Sequence, residues 1–151
     1  MHEFTAASIE FTGELEVALP VDEAFELFSP IGEKRWVPGW DPELLDPPGA
    51  TWARGQIFRT REMYGDAVWL VTALDPAAHD VEYHRVEPGR YVARVRVRCS
   101  TEGARRTRVT VSYAFVGLSP EGNAEIARMT SADYAAKMER WERWIGAGGE
   151  A

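Results

Sequence analysis

The stretch SPEGNAEIARMTSADYAAKMERWERWI, residues 119–145, carries its apolar side chains at the spacing of one long helix. Ser119 followed by Pro120 is typical of a helix start, and Gly146 is typical of a helix end. One face of this helix would present Ile126, Met129, Tyr134, Met138, Trp141 and Ile145. At about 1.5 Å per residue the helix would be about 40 Å long, enough to lie across a whole sheet.

The residues before this helix alternate between apolar and polar types, which predicts β-strands. The first alternating run, residues 9–19, has glutamates on its polar side. Five more runs follow at residues 56–63, 67–74, 81–86, 90–99 and 105–116. Short turns at Gly65-Asp66, Pro88-Gly89 and Glu102-Gly103 join neighbouring runs, which favours one antiparallel meander.

The segment after the first strand is different in character. Pro20 and the apolar residues that follow it predict a short helix, and residues 31–50 have room for at most one further helical turn. The rest of 31–50 is expected to be a loop that carries Trp36 and Trp40. These two side chains either cap the mouth of a cavity or pack the loop onto the core.

Together these elements predict an α+β protein. A strongly twisted antiparallel sheet curls, and its inner face must be covered. The helix at 119–145 is the only predicted element large enough to cover it. We therefore expect a curved sheet of six or seven antiparallel strands wrapped around a long C-terminal helix, with two short helices after the first strand. A cavity is expected between sheet, helix and the 31–50 loop.

Composition is consistent with one globular domain, expected to span residues 1–151 with an ordered core of about 8–145. The 151 residues include 24 acidic and 17 basic side chains, for a formal charge of −7, and this acidic balance argues against nucleic acid as a partner. A single cysteine cannot form a disulfide framework within the chain. With this one cysteine and three histidines, we expect no metal site, and we also expect no cofactor. The arginines of 85–108 alternate opposite an apolar face, which is typical of a solvated surface.

No run of the sequence is long and apolar enough to cross a membrane, and the first residues lack the pattern of a signal peptide. We therefore expect a cytoplasmic protein without a membrane span, either a monomer or a weak homodimer.

The order of elements and the segment GEKRWVPGWDP, residues 32–42, resemble the helix-grip superfamily of START domains, polyketide cyclases/aromatases and the birch-pollen allergen (SRPBCC). The segment LSPEGN, residues 118–123, is similar to the helix entry of the small bacterial members. The resemblance covers residues 8–145 and implies the helix-grip fold. It does not specify an activity, because the superfamily includes lipid carriers, cyclases, hydroxylase domains and chaperone regulators.

Strand parity predicts which side chains face the interior. A two-residue turn at Gly65-Asp66 would pair Glu62 with Trp69 and Phe58 with Ala73, and would place Phe58, Glu62 and Trp69 on the inner face. A carboxylate there would be desolvated, which would raise its pKa unless it were paired. Glu62 therefore either lines the cavity or lies at the sheet edge, hydrated or paired with an arginine.

The strand at 81–86 has two possible registers. Hydrophobicity favours Tyr83 and Arg85 inside, which requires a bulge or a loop of odd length, whereas a two-residue Pro88-Gly89 turn would send Glu82 and His84 inward. We prefer the first register. An inward Arg85 would then anchor an anionic ligand group, form an ion pair with Glu62, or reach water at the strand end.

These patterns predict that the cavity binds a small hydrophobic or amphipathic molecule, as in a carrier or sensor. Glu62 and Arg85 would supply polar contacts, and Trp36 and Trp40 would lie at the mouth. The predicted wall is Phe58, Trp69, Tyr83, Tyr91, Tyr113, Met129 and Tyr134.

Two alternatives follow from the resemblance. In a cyclase/aromatase-like enzyme acting on a polyketide-type substrate, Glu62 or Tyr83 would move protons. In a protein-interaction domain of the chaperone-regulator type, an exposed apolar patch would replace the cavity. The sequence favours a carrier or sensor over an enzyme, and it assigns no catalytic residue.

Overall fold

The computed structural model describes residues 3–49 and 51–148, with every side chain in these ranges except that of Glu62. Short 3-10 turns lie at Gly32–Arg35, Glu62–Tyr64 and Pro76–Ala78. The strands are β1 (Ser8–Val17), β2 (Glu43–Asp46), β3 (Ile57–Thr60), β4 (Ala67–Asp75), β5 (Asp80–Glu87), β6 (Tyr91–Gly103) and β7 (Arg106–Gly117). The helices are α1 (Val21–Glu26), α2 (Pro120–Ala127) and α3 (Ser131–Gly148).

The seven strands form one antiparallel sheet in the order β1-β7-β6-β5-β4-β3-β2. This arrangement, with two short helical segments after β1 and a long helix at the C-terminal end, confirms the predicted fold class. Strand β2, however, was expected to be loop. Its four residues lie next to a pair of prolines, are mostly exposed and show no alternation of apolar and polar types. They form a strand because they pair with β3.

The prediction of a single helix over residues 119–145 is wrong, because the chain breaks between α2 and α3. Ser119 caps α2 as expected, since its Oγ accepts a hydrogen bond from the Gly122 N–H. Thr130 caps α3 in the same way, with its Oγ1 accepting from the Asp133 N–H. The cap at Thr130 starts a new helix of 18 residues, about 27 Å long rather than about 40 Å. Helix α3 also continues past Gly146 to Gly148.

The predicted register of the β3–β4 hairpin is also wrong. Phe58 pairs with Trp69 and Thr60 with Ala67, because β3 ends at Thr60 and a 3-10 turn follows. The Thr60 hydroxyl donates to the Gly65 carbonyl and closes this turn. Phe58 and Trp69 still face inward as predicted, since both are buried. The backbone of Glu62 belongs to the turn and does not pair with Trp69, and its side chain lies outside the described part of the chain.

The preferred register of β5 is confirmed. Tyr83 is buried at 5% exposure, and Arg85 lies on the same face of the strand, where it lines the interior. This register was expected to require a bulge or a loop of odd length. A three-residue turn at 88–90 leaves Glu87 opposite Tyr91, and a bulge lies between Val71 and Ala73 on β4.

Arginines on the outer face of the sheet form ion pairs with carboxylates of neighbouring strands. Arg96 donates two hydrogen bonds to Asp80, and Arg108 pairs with Glu14 and Glu102. Within the described residues, no helix has the length and hydropathy needed to cross a membrane.

Helix α3 lies against strand β1 at Gly13, which generates a test of the packing. A Cβ at this position would come 2.8 Å from Met138 Cγ and 3.0 Å from Tyr134 Cε2. We expect Gly13→Val to lower the free energy of unfolding by about 1–3 kcal/mol, because the close-packed helix must shift. Chemical denaturation measures this change.

Gly103→Val is the matched control, since the nearest atom to a Cβ there is Arg106 Cβ at 3.9 Å. Equal losses for the two variants would contradict close packing at Gly13.

Candidate functional site

A cavity of about 790 Å³ lies between the inner face of the sheet, helices α2 and α3, and the segment after α1. This volume is within the range of about 300–1,000 Å³ usual for small-molecule sites. Exposed residues at its border mark the opening to solvent: Met63, Arg90, Arg128, Asp133 and Arg140.

Of the eleven residues predicted for the site, seven line this cavity: Trp40, Trp69, Arg85, Tyr91, Tyr113, Met129 and Tyr134. Three others, Trp36, Phe58 and Tyr83, lie behind the wall rather than in it. Phe58 stacks on Trp69 with ring centres 5.5 Å apart, and the Tyr83 hydroxyl donates to the Phe28 carbonyl. The last, Glu62, has its side chain outside the described part of the chain.

The two tryptophans of the 31–50 segment pack it onto the core instead of sitting at the cavity mouth. The Trp36 indole N–H donates to the Leu27 carbonyl and the Trp40 N–H donates to the Pro30 carbonyl, at 2.7 and 2.8 Å. Both side chains are 8% exposed or less. These bonds join the segment to the end of α1, and they leave the Trp40 ring facing the cavity.

Aromatic rings make up much of the wall and hold one another in place. Tyr134 stacks on Phe11 at 5.3 Å between ring centres, and Tyr113 stacks on Phe115 at 5.7 Å. The Tyr134 hydroxyl donates to the Val111 carbonyl. Its polar tip is therefore used within the fold, and the ring presents an apolar surface to the cavity.

Arg85 is the polar group that the sequence placed inside, and its partner is Glu87. Their side chains are 12% and 6% exposed and are joined by a 2.6 Å contact. The guanidinium also donates to the Tyr64 carbonyl and to the Tyr91 hydroxyl. Burial alone would raise the pKa of Glu87, but hydrogen bonds from Arg85 and Tyr91 and the charges of Arg85 and Arg90 lower that pKa overall.

Lys137 is a cavity residue that the sequence reasoning missed. It extends from α3, with its Nζ 3.7 Å from the ring centre of Tyr113 and 5.3 Å from that of Trp141. Among the described residues, no carboxylate lies within 4.0 Å of this Nζ. Burial, and then the charges of Arg85 and Arg140, lower the pKa of Lys137 to about 7, while Glu33 opposes the change.

A signal for Lys137 was present in the sequence. It is one of only two lysines among the 17 basic residues. It also lies three residues after Tyr134 and four before Trp141, which puts it on the apolar face of the helix.

Glu33 is the second missed residue, and it lines the same cavity from the 3-10 turn Gly32–Arg35. Burial raises the pKa of Glu33 well above its ordinary value, and the positive charge of Lys137 acts in the opposite direction. A lone acidic residue in an irregular segment has no periodicity, so sequence alone offers no sign of its position.

The cavity therefore combines aromatic walls with the Arg85–Glu87 ion pair, with Lys137 and Glu33, and with further charged side chains near its opening. Within residues 3–49 and 51–148, no cluster of three side chains could hold a metal ion. Such a site can enclose an apolar molecule and exchange protons with it.

The profile of the family "Polyketide cyclase / dehydrase and lipid transport" matches residues 8–145. The chain belongs to this family. No curated protein sequence matches the chain.

Several solved structures share the fold at low sequence identity. Norcoclaurine synthase from Thalictrum flavum, in complex with dopamine and hydroxybenzaldehyde, is 16% identical over 94% of this chain and 88% of its own, with a TM-score of 0.64. An aromatase/cyclase from Streptomyces sp. R1128 is 19% identical over 95% and 87%, with a TM-score of 0.58. A major latex-like protein from Panax ginseng is 16% identical over 93% and 96%, with a TM-score of 0.67. At these identities the likeness establishes the fold alone.

The ion pair beneath the cavity generates a prediction about stability. Glu87→Gln leaves the Arg85 guanidinium buried without a counter-charge, so we expect the free energy of unfolding to fall by about 3 kcal/mol. Because the folded pKa of Glu87 is lowered, the wild-type pair stabilises the fold above about pH 4.3 and loses this contribution as the pH falls through the folded pKa. Denaturation at pH 7 and at pH 3 measures both effects.

Glu102→Gln is the control, because its partner Arg108 lies on the solvated face and such exposed pairs add little to stability. The assignment of Glu87 as the essential counter-charge fails if the two variants lose the same stability.

Proposed function

We propose that the protein binds a small, largely apolar molecule in the cavity under α3, as a carrier or sensor of that molecule. The observation that carries this proposal is the cavity itself, about 790 Å³ in volume and walled by aromatic rings. In the absence of a guest, water that enters through the opening would lie against these ring faces, which is unfavourable for apolar surface. An apolar guest molecule would displace that water from the ring faces.

The polar groups favour an amphipathic guest over a plain hydrocarbon. Arg85, Glu33 and Lys137 line one cavity with Trp40 and Trp69. Apolar walls with a few convergent polar groups are the usual composition of a specific ligand site, in which the polar groups orient the guest. The family description, which includes lipid transport, is consistent with such a guest.

Binding of the fluorescent probe N-phenyl-1-naphthylamine tests the proposal, together with native mass spectrometry of the purified protein for a co-purifying molecule. Val37 lines the cavity and is buried, so Val37→Phe would fill part of it. We expect this variant to weaken probe binding about tenfold or more, because the added ring occupies space that the probe would fill.

Val116→Phe is the matched control, since Val116 is 42% exposed on the outer face of β7. Met129→Trp is a second variant that fills part of the same cavity. It shows whether a loss of probe binding in Val37→Phe comes from the filled cavity or from local misfolding at Val37. Unchanged affinity in both cavity variants would exclude this cavity as the binding site.

A second candidate function, a cyclase/aromatase-like enzyme, is favoured by Glu33 and Lys137. Both face the cavity and both have pKa values shifted by burial, as groups that transfer protons often do. Tyr83, which the sequence suggested for that role, donates its hydroxyl to Phe28 behind the wall. The molecule recovered from Glu33→Gln separates the two functions: a carrier yields the wild-type molecule, and an enzyme yields its unreacted precursor.

The protein-interaction alternative required an exposed apolar patch in place of a cavity. The cavity removes the reason for that alternative, and we do not propose it.

A further inference from the structure

Lys137 differs from the other lysine and the arginines in how its charge is accommodated. The partly shielded arginines, Arg59, Arg85 and Arg108, each lie within 4.0 Å of a carboxylate. The arginines without such a carboxylate are exposed, so water solvates their charge. Lys137 is the one basic residue of the described chain that is half-buried and has no described carboxylate within 4.0 Å. Its positive charge therefore lacks a counter-ion among these residues.

Aromatic rings surround the Lys137 amine. Its Nζ lies 3.7 Å from the ring centre of Tyr113, 5.3 Å from that of Trp141 and 5.9 Å from that of Tyr134. Ring faces attract a cation and so favour the charged form of the amine. The rings carry no net charge, however, and do not neutralise the ammonium. Because Lys137 lines the cavity, a negatively charged group of a guest can reach it.

The other charged side chains of the cavity do not remove this imbalance. Arg85 and Arg90 both pair with Glu87, and Arg90 also pairs with Glu125. Five further charged side chains line the cavity without a described partner of opposite charge within 4.0 Å: Glu33, Arg128, Asp133, Lys137 and Arg140. Three cations face two acids in this set, so it carries a positive charge even when both acids are ionised. The chain as a whole has a formal charge of −7.

We propose that the guest of the cavity is an organic anion, an apolar body with one negatively charged group such as a carboxylate, and that Lys137 binds this group as its counter-ion. This inference rests on the proposed function, because the cavity must first admit a largely apolar guest. The apolar body follows from the aromatic wall, and the negative charge follows from the unpaired ammonium. One negative charge balances the smallest excess of cations that the unpaired groups can have.

Binding an anion would compensate a charge that the fold leaves unbalanced. A charge shielded from water is unfavourable until an opposite charge compensates it, and a pair inside a cavity is less screened than a pair on the surface. Burial lowers the pKa of Lys137 to about 7, together with the charges of Arg85 on β5 and Arg140 on α3. Glu33 on the 3-10 turn opposes this change, and an anion beside the Nζ would do the same.

Two fluorescent probes with the same ring system test the proposal. N-phenyl-1-naphthylamine is neutral, whereas 8-anilinonaphthalene-1-sulfonate adds one sulfonate, which stays ionised. Each probe is titrated with the protein at pH 6 and low salt, so that the Lys137 ammonium predominates and screening is weak. The measured quantity is the ratio of the two dissociation constants. A change in cavity shape affects both probes, whereas the loss of a charge interaction affects only the anionic one.

Lys137→Met removes the charge and keeps an unbranched side chain. We expect this variant to weaken binding of the anionic probe, relative to the neutral probe, by about tenfold or more, because a hydrogen bond to a charged group is lost. Lys137→Arg keeps a positive charge, so the ratio should stay within about threefold of the wild-type ratio.

Lys34→Met is the matched control. Lys34 is half exposed, lies 3.9 Å from Asp41 and is outside the described wall of the cavity, so the ratio should not change. Val37→Phe, which fills part of the cavity, should weaken binding of both probes. This result would place the anionic probe in the cavity rather than on the arginine-rich outer face of the sheet. Circular dichroism checks that each variant is folded.

The outcomes separate this inference from the proposed function. A ratio that changes less than about threefold in Lys137→Met, with the neutral probe still bound, overturns the anion and leaves ligand binding in place. The same result follows if Lys137→Arg changes the ratio as much as Lys137→Met, or if Val37→Phe weakens only the neutral probe. Wild-type protein that binds neither probe overturns both proposals.

Discussion

The approach of helix α3 to strand β1 is the contact on which the rest of the molecule depends. Gly13 has no side chain, so Met138 and Tyr134 pack directly over the strand. Helix α3 lies chiefly against β1, at one edge of the sheet. It reaches β7 through Tyr134, whereas β4, β5 and β6 contribute Trp69, Arg85 and Tyr91 to the cavity wall. Aromatic side chains extend into that space and fill it only in part, which leaves the cavity.

The same arrangement accounts for the unusual electrostatics. Side chains that enter the cavity leave bulk water, so each charged group there must find a partner or shift its pKa. Arg85 donates hydrogen bonds to the Glu87 carboxylate, the Tyr64 carbonyl and the Tyr91 hydroxyl, and Glu87 balances its charge. Lys137 lies against ring faces, with no carboxylate of the described residues within 4.0 Å, and burial lowers its pKa. A structural core has little reason to keep such a group, whereas a site that handles a ligand does.

Much of the fold could be predicted because its strands and its last helix carry strong periodicity. Alternation predicted the inward placement of Tyr83 and Arg85, and the structure confirms it. The free energy gained by burying Tyr83 outweighs the cost of distorting the strands with a bulge. The errors occurred where local signals compete. Thr130-Ser131-Ala132-Asp133 looks like continuous helix by periodicity, yet it is also a capping sequence, and the cap prevailed. The hairpin at Gly65 was misread because a 3-10 turn shortens β3.

The sequence by itself determined the class of fold, the inward faces of the strands and half of the aromatic wall, because these follow from local periods of two and 3.6 residues. Only the tertiary structure decided which charged groups line the same cavity. Glu33 on an early turn and Lys137 on the last helix are about a hundred residues apart, and no local pattern relates them. Their placement at one cavity depends on how far the helix stands from the sheet, a distance set by the packing of the whole core.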